Sequence, residues 1–218
     1  MALNLESSMT DLMTSLAVVF ILLMLALAQN QAQEQQNGSA RHLKEIQKRI
    51  DYLLVQEHLT CEADERDPLS CIIRLPEDKI RFEVNKDIID PKGQAFLKRM
   101  FPPVLNTLNA PEIKSTVDSL YIQGFTDSDG NDEHNLELSQ KRAFSVGRFV
   151  VSFVIPPSNK RNQLLKWLYV NGRGEQELRL KSGKEDKQAS RRVEVKIRVK
   201  SSEQRQAVQS TLKSPTGV

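Results

Sequence analysis

Two places in this chain carry residue types that could do chemistry. One is the run "QGFTDSDGNDEHNLELSQKRAFSV", which holds an acid, Asp127, and a base, Arg142. The pattern predicts a strand that ends at Phe125, a turn over Thr126 to Gly130, and then a helix. Asp127 then sits at a strand end, and Arg142 faces back to it from the helix. An acid and a guanidinium converging at one spot suit a zwitterionic ligand. The carboxylate grips an amine, and the guanidinium grips a carboxylate bidentately. A structural salt bridge between strand end and helix accounts for the same two residues. The stretch "DSDGNDE" is rich in oxygen but lacks the spacing of a calcium loop and its late Glu.

The other place is Asp11, at the head of "TDLMTSLAVVFILLMLALAQ". From Leu12 to Ala28 only Thr14 and Ser15 are polar. As a helix, Met9 to Ala28 spans about 30 Å, the thickness of a bilayer core. A retained transmembrane helix over 9–28 is preferred to a cleaved signal peptide, because no Lys or Arg precedes Asp11 and Glu6 does. An acid at the edge of lipid is expensive unless it faces a partner or a wet cavity. Asp11 reads as a helix N-cap or as a carboxylate that loads and unloads a proton. Asp11, Thr14 and Ser15 share one helical face, which suits a packed helix interface better than bare lipid.

The elements that must position these residues follow from the pattern. Residues 1–8 are a short lead. Residues 29–69 hold a Gln-rich linker, "QNQAQEQQNGSA", and an amphipathic helix whose Leu43, Ile46, Ile50 and Leu53 form about two heptads of apolar seam. That seam suits either a dimer or packing on its own domain. From 70 to 200 strands and helices alternate, so a two-layer α/β sandwich is the economical fold. "CIIRL", "IRFEV", "SLYIQGF" and "SRRVEVKIRVK" read as strands. "PKGQAFLKRMFPPVLNTL" reads as a helix opened by Pro91 and interrupted at Pro102 and Pro103. "NQLLKWLYVNGRG" begins helical and ends in a strand and a glycine turn. Residues 201–218 read as a disordered tail.

Composition removes several functions. Hydrophobic residues make up 39% of the chain, and the formal net charge is +3, with acids and bases interleaved. No basic stripe with aromatics is present, so nucleic acid is not an expected partner. Three His and two Cys, scattered, make no metal site. No nucleophile and base pair emerges, so the chain is not expected to be an enzyme, and no cofactor is expected. Cys61 and Cys71 flank the acidic loop "CEADERDPLSC", and a disulfide between them is plausible in an oxidising compartment.

The run from Tyr121 to Val146 resembles the signature of OmpA-like peptidoglycan-binding domains, G-H-T-D followed by N-x-x-L-S-x-x-R-A-x-x-V. Gly124, Thr126, Asp127, Asn135, Leu138, Ser139, Arg142, Ala143 and Val146 fall on it. "IRFEVNKDIIDPKG", "VNGRGEQE" and "SRRVEVKI" resemble the flanking motifs, so the resemblance covers about residues 70 to 200. It implies an OmpA-like α/β sandwich in which Asp127 and Arg142 clasp the diaminopimelate of the wall peptide, with Thr126, Asn135 and Leu138 lining the site. The usual His of G-H-T-D is Phe125 here, and the loop from Asp129 to His134 is acidic.

The N-terminal run resembles the B subunits of ion-driven stators, the MotB and ZorB type, in which an Asp heads an apolar helix and M-T follows. Asp11, Met13 and Thr14 match, and "TDLMTSL" resembles the ZorB type of Zorya anti-phage systems more than MotB. The resemblance implies a homodimer, with Leu43 to Leu53 supporting it. Two B chains thread a ring of about five MotA/ZorA-like membrane subunits. Protons or sodium ions pass by way of Asp11, with Thr14 and Ser15 on the path. It further implies a single-pass protein of the bacterial inner membrane, N-terminus cytoplasmic, C-terminal domain periplasmic.

Overall fold

The computed structural model describes residues 3–82 and 86–205; the side chains of 3–11 and 31–37 lie outside what it describes. The chain forms two compact units, Met1–Gly38 and Ser39–Val218. Helix α1 (Leu3–Leu54) supplies residues to both. In the first unit, Leu12–Asn30 is long and apolar enough to cross a membrane, with a mean hydropathy of 2.4 and none of it buried. The Gln-rich segment expected as a linker is helical. It contains no Pro, and its Gln, Ala and Glu residues are good helix formers.

The second unit is built on a five-stranded sheet of β1 (Cys61–Ala63), β2 (Ser70–Pro76), β3 (Val117–Phe125), β4 (Leu168–Gly172) and β7 (Arg192–Val199). The order is β1-β2-β7-β3-β4. β7 lies antiparallel to both β2 and β3, while β3 and β4 are parallel. A parallel pair needs a crossover, and α4 (Asp132–Phe149) and α5 (Asn159–Trp167) supply it. A small hairpin of β5 (Leu180–Lys181) and β6 (Lys184–Glu185) precedes α6 (Lys187–Ser190).

One sheet face is apolar. Leu120 and Ile122 of β3 and Val193, Val195 and Ile197 of β7 join Val146, Val150, Leu164 and Trp167 in the core. The opposite face carries a stacked pair, Tyr121 and Tyr169, with ring centroids 5.1 Å apart. Beside it Lys196 meets Asp64 at 2.7 Å, and Arg198 meets Asp67 and Asp118 at 3.1 and 3.0 Å. Helices thus cover one side and ion pairs the other, as the two-layer α/β reading predicts. Cys61 and Cys71 form a disulfide between β1 and β2, with Cα atoms 5.4 Å apart.

Three further sequence expectations need correction. The seam Leu43, Ile46, Ile50 does not wait for a second chain. These residues and Leu54 are buried in the core of their own domain, and Leu53 lies outside it. Spacing alone could not tell a self-packed stripe from a coiled-coil seam. Helix α2 (Pro91–Leu108), which the short α3 (Pro111–Lys114) follows, is not interrupted at Pro102 and Pro103. Phe96, Leu97, Met100, Phe101, Val104, Leu105 and Leu108 bury one face, and that burial outweighs a proline penalty of about 3 kcal/mol. The Thr107 hydroxyl donates to the Pro103 carbonyl at 3.1 Å. Asp90 caps the start, accepting the Gly93 N–H at 2.6 Å, with Pro91 at the first turn as read. The run "IRFEV" makes no strand among the described residues. It contributes a single bridge, Phe82 to Ile89, and residues 83–85 lie outside the description. α4 ends at Phe149, and "VVSFV" after it forms a π-turn over Val150–Val154. Of the tail, residues 206–218 lie outside the description.

Candidate functional site

The motif residues gather where β3 ends. Past Phe125, the Thr126 N–H donates to the Gly174 carbonyl at 2.9 Å, which draws the chain away from the sheet edge. Asn131 then caps α4, its side chain accepting the His134 N–H at 2.8 Å, and Asp132 and Glu133 occupy the first turn, where the helix dipole favours acids. The helix lies very close to the sheet. A Cβ at Gly124 would run into the Ser139 carbonyl, and one at Gly172 into the Gln140 backbone. Only glycine permits that approach. Ser139 accepts the Gly174 N–H at 2.9 Å, so the glycine turn after β4 is fastened to the helix.

This packing opens a cavity of about 370 Å³ lined by Thr126, Asp127, Asn135, Leu138 and Arg142, together with Glu77, Phe82, Asp129, His134 and Arg191. All five residues expected at the wall-binding site therefore share one concavity. Asn135, Leu138 and Arg142 reach it from one face of α4, at three-four spacing. The Asn135 amide donates to the Asp127 carbonyl at 3.3 Å and to Glu175 at 2.6 Å, so it also holds the turn in shape. Thr126 is buried, and its Oγ1 has no hydrogen-bond partner among the described residues.

The acid and the base do not pair directly. Asp127 accepts a hydrogen bond from Arg191 Nη1 at 2.6 Å. Arg191 is held in turn by Glu77, whose Oε2 takes Nε and Nη2, each at 2.9 Å. Glu77, followed by Asp127, pushes the Arg191 guanidinium above its ordinary value. Arg142 lies over the Phe82 ring, 5.1 Å from its centre, and its Nε donates to the Lys86 carbonyl at 3.3 Å. Burial pushes the Arg142 guanidinium below its ordinary value, and the Arg191 charge adds to that, while Glu77, Asp127 and Asp87 oppose it. Among the described residues the site thus presents a half-buried guanidinium bonded to a carbonyl and no carboxylate, beside an acid whose Oδ1 accepts the Asp129 N–H at 3.3 Å. Together they offer one place for a carboxylate and one for an ammonium.

Sequence reasoning missed Arg191 and Glu77. The "RR" before β7 was the available signal: Arg191 points to the cavity and Arg192 to the interior. Arg192 is buried, bonded to Glu194 at 2.7 Å, and lies 3.8 Å from the centre of the Phe125 ring. The aromatic in place of the signature His thus packs beneath a buried cation. The turn is pinned from the far side as well. Ser128 bonds Glu185 of β6 through its N–H at 3.1 Å and its hydroxyl at 2.5 Å, and Lys187 meets Asp129 at 2.5 Å.

At the N-terminal site, Asp11 belongs to α1, and its side chain lies outside the described residues. Thr14 and Ser15 are exposed, and the Ser15 hydroxyl donates to the Leu12 carbonyl at 3.3 Å. Among the described residues no cluster of three or more His, Cys, Asp or Glu could hold a metal ion.

Comparison with known proteins agrees with the fold and the signature. The chain is 28% identical over 201 residues to the Zorya protein ZorB of Escherichia coli O139:H28 (strain E24377A), covering 87% of this chain and 78% of that one. It is 35% identical over 77 residues to outer membrane protein A of Citrobacter freundii, covering 35% of this chain and 30% of the relative. A MotB-like protein from Desulfovibrio vulgaris shares the fold, with a TM-score of 0.50 at 19% identity over 78% of this chain and 96% of that one. The OmpA family model matches residues 81–192, the stretch that holds the signature and all of the cavity's lining except Glu77, and the chain belongs to the OmpA family.

Proposed function

We propose that this chain is the wall-anchored B-type subunit of an ion-driven stator of the MotB and ZorB type, working in a Zorya-type anti-phage defence motor. The observation that carries the reading is one chain holding both ends of such a device. An apolar helix headed by Asp11 belongs to the first unit, and an OmpA cavity with Asp127 and Arg142 belongs to the second. The cavity takes the diaminopimelate of the peptidoglycan stem, its carboxylate on Arg142 and its ammonium on Asp127. Likeness to ZorB over most of the chain supports the defence output. In this reading the domain is periplasmic and the N-terminus cytoplasmic. Asp11 carries a proton or sodium ion beside a MotA/ZorA-like partner ring, with Thr14 and Ser15 on the path. Two copies form the working unit.

The test is Asp11→Asn in cells that carry the whole system and are challenged with phage. Asn keeps the shape and the capping ability but cannot carry a proton. Protection is lost, with the amount of protein in the membrane unchanged. Protection that survives the substitution makes the chain a passive envelope tether.

A further inference from the structure

A second cavity, of about 300 Å³, lies further along α4. Its apolar wall is formed by Phe149, Phe153 and Ile88, the two rings tilted with centroids 5.5 Å apart. Lys98 sits over the Phe149 ring at 5.8 Å, and Arg148 and Gln94 also line the cavity. Phe153 is 68% exposed and Ile88 55%. An apolar floor with a few placed polar groups is the usual make-up of a small-molecule site. Among the described residues, neither Lys98 nor Arg148 has a carboxylate partner.

The two cavities are joined by one strap of chain. Arg142, in the first, donates to the Lys86 carbonyl, and Ser145, in the second, donates to Asp87 Oδ2 at 3.1 Å. Arg142 and Ser145 are one helical turn apart, so α4 grips two successive residues of the strap. From the level of Arg142 to that of Arg148 and Phe149 is about 10 Å along the helix.

We infer that this second cavity is a subsite for the sugar of the wall polymer, seating an N-acetylated hexose ring while the first cavity holds the stem peptide. The inference rests on the wall-binding reading above. Its carrying observation is spacing. In a stem peptide the diaminopimelate follows two residues and a lactyl link, and that stretch reaches roughly 10 Å from the sugar when extended. An aromatic side chain offers an apolar face to the C–H side of a sugar ring. Gln94 and Asp87 offer hydrogen bonds to its hydroxyl and acetamido groups.

The experiment titrates the full-length chain in detergent with two probes, the free stem tripeptide and the same tripeptide on its disaccharide. Phe153→Ala is the variant, chosen because the side chain is mostly exposed and outside the core. The disaccharide form binds about fivefold tighter than the free tripeptide. Phe153→Ala removes that advantage and leaves the affinity for the free tripeptide unchanged. Equal affinities for the two probes in the wild type overturn the subsite and leave the first cavity standing. So does an equal loss for both probes in the variant. If neither probe binds, the wall-binding reading fails, and the subsite fails with it.

Discussion

Arg191 Nη1 lies 2.6 Å from Asp127 Oδ2, and among the described residues Arg142 forms no such bond to a carboxylate. The base read from the signature therefore remains open to a ligand, while a base from the far end of the domain orients the acid. Glu77 fixes Arg191 from behind, and Arg191 in turn holds Oδ2 of Asp127, a residue that lines the cavity. Arg191→Ala lowers affinity for a diaminopimelate-containing tripeptide about tenfold by releasing that orientation, with the fold retained. Calorimetric titration paired with a thermal melt checks both halves. Unchanged affinity would remove Arg191 from the account.

Arg192 and Glu194 form an ion pair with each side chain 3% exposed. Removing Arg192 leaves the buried Glu194 carboxylate, among the described residues, with Arg74 alone, at 3.4 Å. Arg192→Ala therefore costs about 3–5 kcal/mol, whereas Arg66→Ala, in an exposed pair with Glu177, costs under about 1 kcal/mol. Urea unfolding of the two variants gives the comparison. Similar losses would mean that burial of the Arg192 pair is not what makes it important.

The disulfide closes the acidic loop between β1 and β2. For a loop this short, chain-entropy arguments give about 2–3 kcal/mol of stabilisation. Reduction, or Cys61→Ser with Cys71→Ser, lowers the unfolding midpoint accordingly. An identical midpoint with and without reductant would contradict it.

Acid should weaken the charged sheet face through Asp67. Burial pushes its carboxyl up, but the Ser70 hydroxyl, the Lys196 ammonium and the Leu69 N–H together outweigh that and hold it below its ordinary value of 3.8. A depressed folded value means the stabilisation is present above pH 3.8 and is lost as pH falls through the folded value. Asp67→Asn flattens this acid limb and changes little near neutrality beyond a constant offset. Melting temperatures across the range from neutral to strongly acid show the slope.

Much of the domain was legible because local pattern and tertiary burial agree. The alternation in "SRRVEVKIRVK" gave β7, and "SLYIQGF" gave β3. The turn "FTDSDG" followed by helical spacing placed Asp127 and Arg142 on one concavity. What was not legible depends on partners distant in sequence. Arg191 and Glu77 meet across most of the domain, and no spacing rule reaches that far. The stripe Leu43, Ile46, Ile50 had the right period but not the identity of what it packs on. Prolines 102 and 103 misled because local propensity is weaker than a seven-residue buried face.

Retention of the full-length chain by purified peptidoglycan tests the central claim most directly. Wild-type protein and the double variant Asp127→Ala, Arg142→Ala are compared, with circular dichroism to confirm that both are folded. The account predicts that the wild type sediments with the wall and that the folded double variant stays in solution. Equal sedimentation of the two would contradict it, because the cavity at the end of β3 would then not be where the wall is held.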